Sequence, residues 1–146
     1  MTTRPISLTT RTGEQIRVRL LDSLPSREHA IVSASEGFGQ PIDPALSLDV
    51  EEHLDACHFG FQFLDADGQI AGFTLFKHFD DLLCGGGMMI RPRFQKSGLV
   101  REGIKLARDR TQARFLAYRT QSPRMWSAGR SVTRIWGLAQ MLVIIL

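Results

Sequence analysis

The chain has 146 residues, of which 43% are hydrophobic and 23% charged. That suits one domain, 1–146, with a single proper core, and excludes a disordered or low-complexity chain. The net charge of +3 conceals a polarity: residues 1–90 hold 6 Lys or Arg against 13 Asp or Glu, and residues 91–146 hold 12 against 2.

In chain order, ISLTTRTGEQIRVRLL (6–21) alternates and breaks at Thr12-Gly13, which predicts a hairpin or a strand with a frayed partner. Pro25, with Ser23 as cap, opens a short helix to about Ala34. EGFGQPID (36–43) reads as loop. Asp43 followed by Pro44 is an N-cap and an N1 proline, so 44–58 is predicted helical, with Leu46, Val50, Leu54 and Cys57 at helical spacing. Two aromatic-rich runs, 61–64 and 70–76, flank the turn Asp65-Ala66-Asp67-Gly68. Phe73 and Leu75 alternate with Thr74 and Phe76, so both faces are partly buried. After a turn at Asp80-Asp81, LLCGGGMMI (82–90) reads as a third antiparallel strand, and glycines inside a strand mark a bulge or a close backbone approach.

Ser97 is placed to cap a helix over 98–110. Val100, Ile104 and Ala107 lie on its inner face with Leu99, Gly103 and Leu106 beside them, and Arg101, Lys105, Arg108 and Asp109 face out. FLAYR (115–119) is a strand, expected beside and parallel with 87–90 because a helical crossover joins them. Ser122 and Pro123 open a last helix carrying Met125, Trp126, Ala128, Val132 and Ile135. MLVIIL (141–146) is a final strand, buried within the chain or against a second copy, a homodimer. It is too short to cross a bilayer, so no membrane is expected. The start MTTRPISLTT lacks the apolar stretch of a secretory leader, and two isolated thiols, Cys57 and Cys84, predict a reduced cytoplasmic protein. His53, Cys57 and His58 have no second ligand pair at finger-like spacing, so no metal is expected.

The segment RPRFQKSGLV (91–100) joins strand to helix with Arg93, Lys96 and Gly98. A helix start leaves four N–H groups unpaired and carries about half a positive charge. An anion can occupy it if no side chain blocks the approach. A tight turn with a cap explains the same residues, and pairing with the acidic half explains the same cations; the local sequence leaves both open.

The order β-α-α-β-β-β-α-β-α-(β) and the stretch GGGMMIRPRFQKSGLVREGIKLA resemble the GNAT-type N-acetyltransferases. Their signature Q/R-x-x-G-x-G/A is matched at Gln95 and Gly98 of Gln95-Lys96-Ser97-Gly98-Leu99-Val100, with Val100 in place of the last small residue. The resemblance implies a mixed α/β fold with a central mixed sheet flanked by helices and a short C-terminal part. It implies acetyl-CoA as acyl donor, its diphosphate on Gln95, Lys96, Ser97, Gly98, Leu99 and Val100. The pantetheine arm would pair with the backbone of Met89 and Ile90, and Gln121 would touch it.

The implied activity is acyl-CoA-dependent N-acyl transfer, an acetyl group passing to a small-molecule or peptide amine by direct attack. An alkyl amine has a pKa near ~10.4 and must lose a proton first. Asp80, Asp81, Glu36 and Glu51 are candidate bases that nothing in the sequence separates. Tyr118 and Asp81 are the candidate catalytic residues. The chain departs from the family in carrying its single tyrosine on the 115–119 strand, with no tyrosine in the last helix, and in its short C-terminus. Those departures favour an alternative, a catalytically degenerate GNAT-like module that binds CoA or a partner protein. Nucleic acid ranks last as a partner, because Phe115, Trp126 and Trp136 read as core.

Overall fold

Alternation builds the first hairpin. β1 (Ile6–Thr9) pairs antiparallel with β2 (Gln15–Leu21), where Ile16 and Val18 turn inward and Arg17 and Arg19 outward. The computed structural model describes residues 6–21, 27–118 and 127–128. The helix start around Ser23 and Pro25, Gln121, Trp126, Trp136, the final helix but for two residues, and the final strand lie outside the described residues.

α1 (Arg27–Phe38) runs four residues beyond the predicted end, so Glu36 and Gly37 are helical rather than loop. Glycine at 37 lets α1 approach β5 closely: an added Cβ would stand 3.1 Å from the Ile90 carbonyl oxygen, a tight contact. α2 (Pro44–Ala56) begins as predicted: the Asp43 carboxylate accepts the Leu46 N–H at 2.7 Å. It ends two residues early, where Cys57 turns extended. β3 (Phe59–Leu64) and β4 (Ile70–Phe79) form the expected hairpin, held by the Asp65 carboxylate accepting from the N–H groups of Asp67 and Gln69. β5 (Leu82–Ile90) follows, then a 3-10 turn (Pro92–Phe94), α3 (Leu99–Thr111) and β6 (Phe115–Ala117).

The six strands lie side by side in chain order, antiparallel except for the parallel pair β5–β6. Both faces of β4 are covered, which is why residues 71–76 are buried without a break. On one face Leu46, Val50 and Leu54 of α2 and Ala30 and Ala34 of α1 pack against Phe73, Leu75 and Met89. On the other, Leu99, Ile104 and Ala107 of α3 join Phe61, Phe63 and Phe76. Full burial of each such side chain is worth about 1.5–3 kcal/mol.

Three expectations need correction. β6 is parallel to β5 but pairs with its start, Leu82 to Cys84, rather than with 87–90. The Asp81 carbonyl accepts the N–H groups of both Arg114 and Phe115, and the Asp81 carboxylate binds the Arg114 guanidinium, so the incoming chain is pinned where β5 begins. Phe115 is 48% exposed rather than core. Along α3, Arg108 and Asp109 are exposed, but Arg101 and Lys105 are half-buried.

α3 lies close to the sheet because Gly103 faces Thr74, whose hydroxyl is fully buried and has no hydrogen-bond partner. A Cβ at 103 would stand 2.7 Å from that oxygen and 2.8 Å from the Thr74 methyl. Gly103→Ala should therefore destabilise by about 1–2 kcal/mol, overpacking outweighing the gain in helix propensity. Thr74→Ala removes both obstructing atoms and no hydrogen bond. A double-mutant cycle by urea denaturation should show the pair more stable than the sum of the singles by about 1 kcal/mol.

Candidate active site

The loop from β5 to α3 holds two left-handed residues, Lys96 at φ 70° and Gly98 at φ 91°. Gly98 is the N-cap of α3, and no side chain caps the helix. The Ser97 hydroxyl, predicted to do so, is buried and donates to the Phe94 carbonyl instead. Left-handed geometry at 98 turns the chain so sharply that Ser97 points back into the 3-10 turn, and the first-turn N–H groups of α3 stay uncapped. Around them the backbone is bare: nothing but the Arg11 side chain comes within 4 Å of where a Gly98 Cβ would be. Arg11 belongs to the β1–β2 turn, and its N–H donates to the Ser97 carbonyl at 3.3 Å.

Ion pairs engage five of the eight described cations of the basic half. Arg91 binds Glu36 through two hydrogen bonds of 2.5 and 3.1 Å, Arg93 binds Glu14 at 3.0 Å, and Arg114 binds Asp81. Lys105 and Arg108 pair with Glu102 and Asp109 of their own helix. Arg11, Lys96 and Arg101 pair with no carboxylate among the described residues, and the buried Arg101 Nε has no hydrogen-bond partner. All three flank the start of α3. The Gln95 side-chain amide is engaged, donating to the carbonyls of Gly37 and Ile90 at 3.1 Å each, and so fastens the loop to α1 and to the end of β5.

The glycine run lies upstream on the same strand. Leu75 of β4 faces Gly87, the next residue Phe76 faces Gly85, and Gly86 is left over as a bulge. Each glycine has a different neighbour. A Cβ at Gly85 would stand 3.0 Å from the Tyr118 Cβ, one at Gly86 would overlap the Cys57 sulfur, and one at Gly87 would stand 3.9 Å from the His53 ring. Pairing with β6 stops at Cys84 opposite Ala117, one residue before the run. From there on, this edge of β5 has no paired strand among the described residues. The Met89 and Ile90 side chains are core, leaving their backbone as what they can offer a ligand.

Tyr118 therefore stands where the two strands part company. Partial burial pushes its phenol above the ordinary 10.0, so it is a proton donor at neutral pH. Asp81 sits just before the start of β5, tied to Arg114. Of the other carboxylates considered as bases, Glu36 is held by Arg91 and Glu51 lies 3.7 Å from Arg27. Asp80 is in a left-handed turn at φ 46°. Sequence reasoning considered His53 for metal binding alone and missed its place beside the glycine run. No local signal could have revealed it, since the contact spans α2 and β5. Among the described residues no three His, Cys, Asp or Glu side chains are grouped to hold a metal ion. No described helix is long and apolar enough to cross a membrane.

No protein-family profile matches the sequence, and no curated protein matches it. Solved structures do match. A GNAT family acetyltransferase from Streptococcus pneumoniae is 15% identical, with TM-score 0.60, over 80% of this chain and 84% of that one. A ribosomal-protein alanine N-acetyltransferase from Escherichia coli is 16% identical, with TM-score 0.60, over 79% and 76%. A GNAT family N-acetyltransferase from Escherichia coli, solved in complex with CoA, is 14% identical, with TM-score 0.56, over 87% and 69%. The chain has the GNAT-type N-acetyltransferase fold.

Cys57 packs its thiol against the bulge, and burial raises its pKa above the ordinary 9.0, with Lys77 opposing weakly. The thiol is neutral at pH 7. A folded-state pKa raised above the unfolded one gives stability that is complete below the unfolded pKa and lost as pH rises through the folded one. Folding stability should hold up to about pH 8.5 and decline at higher pH. Cys57→Ala, followed by denaturant titrations from pH 7 to 10.5, should show a shallower decline.

Proposed function

We propose that the chain is an acyl-CoA-dependent N-acyltransferase that moves an acetyl group from acetyl-CoA to a small-molecule or peptide amine. One observation carries this reading: a single strand, β5, leads from a bulge just past its last described pair with β6 to an uncapped helix start, flanked by three cations without carboxylate partners among the described residues. The CoA complex of a protein with the same fold supports it.

The residues fit the donor. The backbone from Lys96 to Arg101 would hold the diphosphate, with the first-turn N–H groups of α3 donating and Lys96, Arg101 and Arg11 supplying charge. The β5 backbone at Met89 and Ile90 would pair with the extended arm, and Gln121 remains a proposed contact. Acetyl-CoA supplies a thioester, whose carbonyl carbon is the electrophile. Tyr118, kept protonated by burial, would give a proton to the departing sulfur. The edge of β5 after Cys84, unpaired among the described residues, would offer backbone groups to orient the acyl end.

A second reading, a module that binds CoA without catalysis, is favoured by the pairing of Asp81, Glu36 and Glu51 with arginines. Titration calorimetry with acetyl-CoA, joined to an assay of thiol release with added amines, separates them: binding with turnover supports transfer, and binding alone supports the module. Gly98→Glu should weaken acetyl-CoA binding tenfold or more, since the carboxylate would stand beside the phosphates. It should also lower stability by about 1 kcal/mol, because φ at 98 is left-handed. Lys96→Ala should weaken binding less, as an exposed charge is partly screened, and affinity should fall as salt rises.

A further inference from the structure

We propose that His53 is the base that takes the proton from the acceptor amine. The inference rests on the acyltransferase reading and deepens it. His53 lies in the last turn of α2, on the sheet face opposite α3. Its ring comes within 3.9 Å of where a Gly87 Cβ would be, three residues past the last β5–β6 pair at Cys84. The Leu75 and Met89 side chains come within 3.5 and 3.8 Å of the same point, so the ring lies at the rim of the apolar surface over β5.

The ring is prepared for the task. Its Nδ1 lies 2.7 Å from the Asp49 carbonyl, which can only accept, so Nδ1 carries the hydrogen and Nε2 the lone pair. Nε2 has no partner among the described residues, and the residue is exposed, so an acceptor can reach it from the α2 side. The Asp49 carboxylate also lies 3.6 Å from Nδ1. Around the ring, β5 brings no charged residue, and Arg27 of α1 is occupied by Glu51 and Asp55 of α2. Cys57, one turn on, stays a neutral thiol and cannot serve as the base at pH 7. The Asp81, Glu36 and Glu51 carboxylates are engaged by arginines.

The step balances. Nε2 takes one proton from the acceptor ammonium. The freed nitrogen lone pair forms the N–C bond to the acyl carbon while the C–S bond breaks, and the second amine proton ends on the departing sulfur. His53 then returns its proton to solvent.

The test is chemical footprinting with diethyl pyrocarbonate, which carbethoxylates free imidazole nitrogen, read by peptide mass spectrometry with and without saturating acetyl-CoA. Occupancy is measured separately by calorimetry. Bound acetyl-CoA should slow modification of His53 at least fivefold and leave His29, His58 and His78 unchanged. His53→Gln should bind acetyl-CoA within twofold of wild type. It should release thiol to spermidine or to a peptide with a free N-terminus about 100-fold more slowly at pH 7, the deficit closing as pH rises toward the amine pKa. Unprotected His53 at full occupancy, or equal thiol release by His53→Gln and wild type, would overturn the assignment and leave the acyltransferase reading standing. Absence of acetyl-CoA binding to the wild-type protein would overturn both.

Discussion

β5 carries one residue more than β4 can pair, and there is no room for that residue to have a side chain. Gly86 is left out of the ladder opposite Leu75 and Phe76, and the Cys57 sulfur fills the space above it. Much of the site depends on this fit. The bulge lets two successive residues, Gly86 and Gly87, face α2, and so seats the end of that helix, with Cys57 and His53, directly on the strand. Bulges increase local twist and end regular pairing. Here the last described pair with β6, at Cys84, lies two residues before the bulge. Among the described residues no strand pairs with this edge of β5 beyond Cys84, and a tyrosine and a histidine stand beside the glycine run there.

The second constraint is electrostatic. The charge polarity of the sequence admits two explanations, and the structure divides the cations between them. Arg91, Arg93 and Arg114 reach back to Glu36, Glu14 and Asp81, so the basic segment is clamped onto the acidic one. These pairs are largely exposed and individually worth little, about 0–1 kcal/mol. Their effect is positional: Arg91 and Gln95 tie the loop to α1, and Arg114 fixes where β6 begins. Three cations without a carboxylate partner among the described residues, Arg11, Lys96 and Arg101, converge on a helix start that carries partial positive charge of its own. Cations gathered there without counter-charge repel one another, a cost that an anion would relieve.

The order of the elements as far as β6, the GNAT-type fold, the 65–68 turn, the Asp43 cap and the bulge were legible in the sequence, because each is a local pattern with a local cause. Alternation marks the hairpins, a short polar side chain before proline marks a helix start, and three glycines in an apolar run mark a strand approached closely from both faces. The misreadings are long-range. Nothing in 115–119 says which part of β5 it pairs with; Asp81, more than thirty residues earlier, decides that. Ser97 has the chemistry of a cap, but the left-handed Gly98 aims it elsewhere. Glu36 and Gly37 read as loop because glycine disfavours helix, and the Ile90 carbonyl is the reason it is there. His53 looked like half of a metal pair until the fold brought Gly87 beneath it.

The central claim is that the uncapped start of α3 and the open edge of β5 are two ends of one acetyl-CoA site. Mapping backbone amide shifts in the 15N-labelled protein during an acetyl-CoA titration tests it most directly. The account predicts saturable shifts at Lys96 to Arg101 and at Gly85 to Ile90 together, with one shared affinity. Saturable shifts confined elsewhere, or shifts at α3 that leave the glycine run of β5 unmoved, would contradict it.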